Sequence, residues 1–273
     1  MAHNRLSLHS SASFRVARKQ GQPPIRFYSQ NRGASRLSRA LQPRPGTISE
    51  TYFAYGMTRR LFEACSSQAD YSIPQASQKG AEVPKTSAGE DLGVGDSWWY
   101  KDLGLLPTFS TWSQVTFLHM YMLTVRLRAL PSQESFRTHS RYLFDHFSHS
   151  AEERMDVLHG LTNRSIRNKY LKDLFIQWRG ILAAYDEGLV KGDAVLGAAV
   201  WRNLWKASHT GPDGRDVNWT AVAWVVAYMR RVLFELSQRS EADLAIILRG
   251  GDAAIYSLFK YSELDKRTVY TSR

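Results

Sequence analysis

Thr111-Trp112-Ser113-Gln114 is the stretch on which the reading of the fold turns. A hydroxyl residue followed three positions later by a side-chain amide is the sequence form of a capping box. In it the two side chains satisfy backbone N–H groups that the first helical turn leaves bare. Behind it, Leu118, Met122, Val125 and Leu130 recur at helical spacing until Pro131. Proline lacks the N–H and clashes with the preceding turn, so the helix stops there.

The same grammar continues downstream. A second helix carries Phe136, Tyr142, Leu143, Phe144 and Phe147. Ser150-Ala151-Glu152-Glu153 reads as another capping box, with Met155, Val157 and Leu158 after it. The longest helix is expected from near Thr162, with Ile166, Tyr170, Leu174, Trp178, Ile181, Leu182 and Tyr185 on one side and interruptions at Gly188 and Gly192. Asp193 is placed as the cap of a helix bearing Leu196, Val200, Trp201, Leu204 and Trp205. After the loop Gly211-Pro212-Asp213-Gly214, a helix runs from Asp216 to Gln238, and Ser240 caps a short last one ending at Gly250-Gly251.

Upstream the signal thins. Thr51 to Cys65 is helix-like, whereas residues 66–95, rich in Ser, Gln, Pro, Gly and Lys, show no period and read as a linker or long exposed loop. Little order is expected from 1 to about 46. Period-two strand patterns, internal repeats and sustained heptads are missing. The fold class is all-α: an irregular multi-helix bundle with a poorly ordered N-terminal extension.

The net charge of +11 suggests nucleic acid until it is located. Residues 1–49 hold eight arginines, one lysine and no acidic residue; the rest carries 27 basic against 25 acidic residues. A basic, Arg- and Ser-rich, acid-free N-terminus has the composition of a mitochondrial transit peptide. Arg26-Phe27-Tyr28-Ser29 resembles a matrix processing site that leaves Ser29 as the new N-terminus and a net charge of +6, from 31 basic and 25 acidic residues. The rival reading is a basic arm that binds RNA, but no aromatic stacking platform recurs among the later arginines. The domain plan is therefore 1–28 transit peptide, 29–95 extension with one helix and a linker, and 96–273 the helical domain. No segment reaches the roughly 20 apolar residues of a membrane span. A soluble or peripheral protein follows, with contact to ribosomal RNA or anionic inner-membrane lipid open to its positive charge. No DNA partner is expected.

Chemistry is sparse. Cys65 is the single cysteine, so neither an intramolecular disulfide nor a cysteine zinc site is available. His146 and His149 share a helical face near Glu153, yet the spacing matches neither a zincin nor a di-iron bundle. Gly93-Val94-Gly95 lacks a third glycine and a preceding strand, and no nucleophile elbow or phosphate loop occurs. No catalytic, cofactor-binding or metal-ligating residue is assigned.

Between Phe109 and Lys206 the motifs become specific. Phe109 to His119 leads into Met122-Leu123-Thr124-Val125-Arg126-Leu127-Arg128, followed by Asp145-His146-Phe147, Glu152-Glu153-Arg154-Met155, Tyr170-Leu171-Lys172-Asp173-Leu174 and Gln177-Trp178. Tyr185-Asp186-Glu187-Gly188-Leu189, Gly192-Asp193-Ala194-Val195-Leu196 and Trp201-Arg202-Asn203-Leu204-Trp205 complete the series. This order and spacing resembles the ubiquinol–cytochrome c chaperone family in its fungal mitochondrial form, over roughly 95–235. The resemblance implies a non-enzymatic, matrix-side helical chaperone, peripheral to the inner membrane, for assembly of respiratory complex III. It also implies cytochrome b as client, a small helical assembly-factor partner, the mitochondrial ribosome near its exit tunnel, and no cofactor.

Candidate contact residues follow from charge and aromaticity. Arg126, Arg128, Arg154 and Arg202, with Asp186 and Glu187, either form internal ion pairs or face a partner. Trp98, Trp99, Trp219 and Trp224 are candidates for a hydrophobic client, with core packing the alternative for each. Two rival classes stay open at this level: a helical enzyme of quinone or haem metabolism, and an RNA-binding mitochondrial translation factor.

Overall fold

The computed structural model describes residues 48–78, 80–211, 214–240, 256–257 and 259–267, all within one compact unit spanning 43–273. The proposed transit peptide and the helix placed between Ser240 and Gly250 lie outside the described residues. In chain order the helices are α1 Ile48–Ser66, α2 Trp98–Lys101, α3 Phe109–Leu127, α4 Gln133–Val157, α5 Arg164–Lys191, α6 Asp193–Leu204, α7 Trp219–Gln238 and α8 Glu263–Arg267, with a 3-10 turn at Pro74–Ser77. Among the described residues only isolated antiparallel bridges occur, such as Ser72–Val94 and Lys85–Asp91. The fold is all-α.

The axis of the bundle is α3. It is apolar nearly all round, and a helix with that pattern must be covered on every side. Its residues from Thr111 to Thr124 are all buried, and α1, α4, α5, α6 and α7 pack around it. The stretch Thr111-Trp112-Ser113-Gln114 does belong to the first turns of a helix, but the start lies earlier than expected. Thr108, in extended conformation, accepts the Thr111 N–H at its side chain, so Thr108 is the cap. Gln114 is freed for another use: its Nε2 donates to Gln177 Oε1 of α5 at 2.7 Å.

Other boundaries shift for similar reasons. Helix α4 begins after the Ser132 cap and runs through Ser150-Ala151-Glu152-Glu153 without a break. Phe147, Ala151 and Met155 form a continuous buried stripe across that point, so packing overrides the second capping-box signal. Helix α5 starts close to the expected Thr162, after the Asn163 cap that accepts from Ser165 and Ile166, and α7 starts at Trp219 and not at Asp216, after the Asn218 cap. Gly188 does not interrupt α5. A Cβ at Gly188 would stand 2.6 Å from Leu196 Cα, so the missing side chain is what lets α6 fold back against α5. Gly192, at φ 107°, makes the reversal and is the residue before α6; Asp193 is its first helical residue.

The segment 66–95 is irregular, as its composition says, but it is not simply exposed. Ala69, Tyr71 and Ile73 are buried in the core. Trp112 Nε1 donates to the Ser66 carbonyl at 3.0 Å and the Tyr100 hydroxyl to the Ala69 carbonyl at 2.5 Å. Two aromatic anchors thus hold a stretch whose own sequence has no period.

Candidate functional site

The ten candidate residues separate into groups that the bundle keeps apart. Arg154 turns inward. Its guanidinium lies 4.4 Å over the Trp112 ring and 5.4 Å over Tyr71, and it pairs with Asp70 at 2.6 Å. Beside it the Tyr71 hydroxyl donates to His159 Nε2 (2.7 Å), and His159 Nδ1 meets Asp91 (2.8 Å). Burial would raise the Asp91 carboxyl, but hydrogen bonds from Lys85 and His159 outweigh it and hold the group below its ordinary value. This hydroxyl–imidazole–carboxylate line resembles a relay, yet burial pushes the Tyr71 hydroxyl far up. It fastens the 66–95 segment to the end of α4.

Arg128 and Asp186 form a two-pronged pair at 2.6 and 2.9 Å, with the Tyr121 hydroxyl also donating to Asp186 at 3.0 Å. This ties α3 to α5. Arg126 donates to the Arg239 carbonyl at the end of α7, 2.9 Å. Glu187 pairs with Lys191 one turn along α5, and Arg202 is exposed on α6.

Trp99 is core: 2% exposed, with its ring edge-on to His119 and Tyr228. Burial pulls His119 down to about 4; its Nδ1 lies 2.7 Å from the Val115 carbonyl and its Nε2 2.7 Å from the Tyr228 hydroxyl, which itself donates to the Phe259 carbonyl at 2.9 Å. Trp98 stacks on Tyr261 at 4.3 Å between centroids. The Lys266 ammonium stands 5.4 Å from the Tyr261 ring and 5.2 Å from Trp224. Trp98 and Trp224 are therefore covered by the segment leading into α8. A cavity of about 620 Å³ beside Trp98 and Trp99 is also lined by Gln68, Phe259 and Lys260. Cys65, 0% exposed, has its thiol pushed up by burial. His146 is buried, its Nε2 3.1 Å from the Tyr55 carbonyl and 3.3 Å from Thr58 Oγ1, while His149 is exposed.

Of the four tryptophans only Trp219 stands in solvent, at 56% exposure, its ring 5.4 Å from Trp201. It begins a stripe. At about 100° per residue, Trp219, Ala223, Ala227, Arg230 and Phe234 share the outer side of α7. Phe234 is 65% exposed, and the opposite side is buried through Val225, Met229, Val232 and Leu236. Arg230 is turned away to Asp193 at 2.8 Å, leaving an aromatic at each end of about 22 Å of helix with alanines between. Phe234 escaped the sequence reading because it merged into the apolar run Val232-Leu233-Phe234; its position off the buried stripe was the available signal.

Residues 101–246 match the family described as ubiquinol-cytochrome C chaperone. "Protein CBP3, mitochondrial" of Saccharomyces cerevisiae is 35% identical over 57% of this chain and 44% of its own length. "Ubiquinol-cytochrome c reductase complex assembly factor 1" of Drosophila melanogaster is 31% identical over 39% of this chain and 42% of its own length. The similarly named Xenopus laevis protein is 30% identical over 38% and 50%. The chain thus spans half or less of the length of each of these relatives. No solved structure matches it. The chain belongs to the ubiquinol–cytochrome c chaperone family.

Proposed function

We propose that this protein is a mitochondrial assembly chaperone for respiratory complex III, acting in the matrix, peripheral to the inner membrane, by holding newly made cytochrome b. Its work is binding, not turnover. The observation that carries this reading is the apolar outer stripe of α7, where Trp219 and Phe234 stand more than half exposed and can meet a hydrophobic chain segment. The names of the Drosophila and Xenopus relatives support the complex III assignment, and that of the yeast relative the mitochondrial one. Among the described residues no helix is long and apolar enough to cross a membrane, which fits peripheral attachment. A small helical assembly-factor partner and the mitochondrial ribosome near its exit tunnel complete the proposal, through surfaces other than the outer side of α7.

The test is recovery of the tagged protein from mitochondria after brief labelling of newly made organellar products. Labelled cytochrome b is expected with the wild-type chain and at several-fold lower yield with Trp219→Ser/Phe234→Ser. If no labelled product accompanies the wild-type chain, the chaperone reading fails. Equal recovery with the double variant would move the client site off α7.

A further inference from the structure

We infer that the outer side of α5 is a docking face for an anionic lipid surface. Helix α5 has 28 residues and is anchored by Leu174, Trp178, Ile181 and Tyr185, all buried. At about 100° per residue, Lys169, Lys172, Ile176, Arg179, Ala183 and Val190 fall on the opposite side and are exposed. Ile176 is 67% and Val190 87% exposed.

The cations in this stripe differ from most of those elsewhere in the described bundle. Arg128, Arg154, Arg167, Lys206, Arg230, Arg231 and Lys266 all hold carboxylates. Lys169, Lys172 and Arg179 hold none. Asp173 lies four residues beyond Lys169, the spacing of a helical ion pair, yet the two do not pair. Glu187, the acidic residue within the stripe, is taken by Lys191. The result is three positive charges free of ion pairs, offset only by the exposed Asp173 carboxylate at the edge of the stripe, with an aliphatic side chain projecting among them.

That combination selects a partner. Nucleic acid would take the cations but offers nothing to Ile176 and Val190. An anionic bilayer takes both, with phosphate heads meeting the ammonium and guanidinium groups and aliphatic tips entering the acyl boundary. The long Lys and Arg stems let the charges remain at headgroup level while the apolar residues go deeper. The inference rests on the peripheral inner-membrane placement proposed above and names the face responsible.

The experiment is flotation of the full-length protein with phosphatidylcholine vesicles, with and without phosphatidylglycerol. Wild-type protein is expected to float with the anionic vesicles, less so at high salt, and not with the neutral ones. Lys169→Gln/Lys172→Gln/Arg179→Gln should weaken binding roughly 100-fold, each cation being worth about fivefold. Ile176→Ser, which removes no charge, should weaken it about tenfold. A triple variant that floats like wild type overturns the face. So does an unaffected Ile176→Ser combined with displacement of the vesicles by single-stranded RNA, which would mark a nucleic-acid surface. Fractionation of mitochondria reads the underlying placement separately. Wild-type protein missing from the membrane fraction overturns the placement itself, whereas protein in that fraction with a normally floating triple variant overturns only the choice of α5.

Discussion

Helices α5 and α7 are built alike and finished differently. Each buries one stripe against the axial helix α3 and shows another to solvent. On α7 the arginines are consumed internally: Arg230 by Asp193, and Arg231 by Asp265 and Glu235. What stays outside is aromatic, Trp219 and Phe234. On α5 the outer cations Lys169, Lys172 and Arg179 are unspent, and the most exposed apolar residues of the stripe, Ile176 and Val190, are aliphatic, while the half-exposed Phe175 at its edge leans on Phe144 of α4. The difference teaches that net charge says little about a surface until each cation's partner is known. A chain whose body, residues 50–273, carries only two more basic than acidic residues still presents a face on α5 where three exposed cations outnumber the carboxylates beside them.

The comparison breaks first if the inner stripes do not carry the stability. Trp178 lies 7% exposed on α5, 5.4 Å from the Phe117 ring. Trp178→Ala should cost about 4 kcal/mol through lost burial and the cavity left behind, read as a lowered urea midpoint at unchanged slope. A loss below about 1 kcal/mol would mean that α5 is held by its ends and not by its face.

Next comes the claim that the arginines of α7 serve the fold. Asp265 has a side chain only 2% exposed and depends on Arg231, at 2.7 Å. Arg231→Ala should therefore cost about 3 kcal/mol, chiefly as the penalty of leaving that carboxylate buried and unpaired. Removing Asp265 as well should restore part of the loss. If Lys172→Ala on α5 costs as much as Arg231→Ala, the contrast between the helices collapses.

A smaller effect tests the seam where α7 meets α3. His119 is held near 4, below its ordinary 6.5, so between those values the unfolded chain binds the proton that the folded chain refuses. Stability is then fully present above pH 6.5 and falls as the pH drops toward 4. From pH 7 to pH 5 the loss from this group is about 2 kcal/mol, measured by denaturant titration. His119→Gln should flatten that slope; an unchanged slope would place the pH sensitivity elsewhere.

Much of the fold was legible because helix periodicity and stop signals are local. Pro131, Gly192 and the alternation around Trp178 say what they do from their own neighbours. The errors came where two local signals compete and packing decides. Ser150 is as good a cap as Ser132, but only Ser132 follows the end of a helix and a proline; Ser150 is followed by Ala151 on a buried stripe already running. Tyr71 shows no period at all, and its burial depends on Arg154, His159 and Trp112, residues remote in sequence. The candidate site was less legible. A sequence reports that Trp98, Trp99, Trp219 and Trp224 are aromatic, but whether each is covered depends on elements such as α8, which was not foreseen. Ion pairing is harder still: Asp186 meets Arg128 across 58 positions, and nothing near either residue announces it.

The smallest effects belong to the outer stripes and discriminate between their two possible meanings. Trp219→Ser gives up the contact with Trp201 and should cost about 1 kcal/mol. Phe234→Ser and Ile176→Ser, at 65% and 67% exposure, should each change stability by less than about 0.5 kcal/mol, seen as thermal midpoints close to wild type. Against that background the binding assays become interpretable. Loss of cytochrome b recovery with Phe234→Ser at unchanged stability assigns the side chain to contact, because a folded monomer that does not miss it cannot be failing through unfolding. A midpoint that falls together with recovery would assign Phe234 to packing within the chain, and the aromatic stripe of α7 would then be an extension of the core and not a surface held ready for a client.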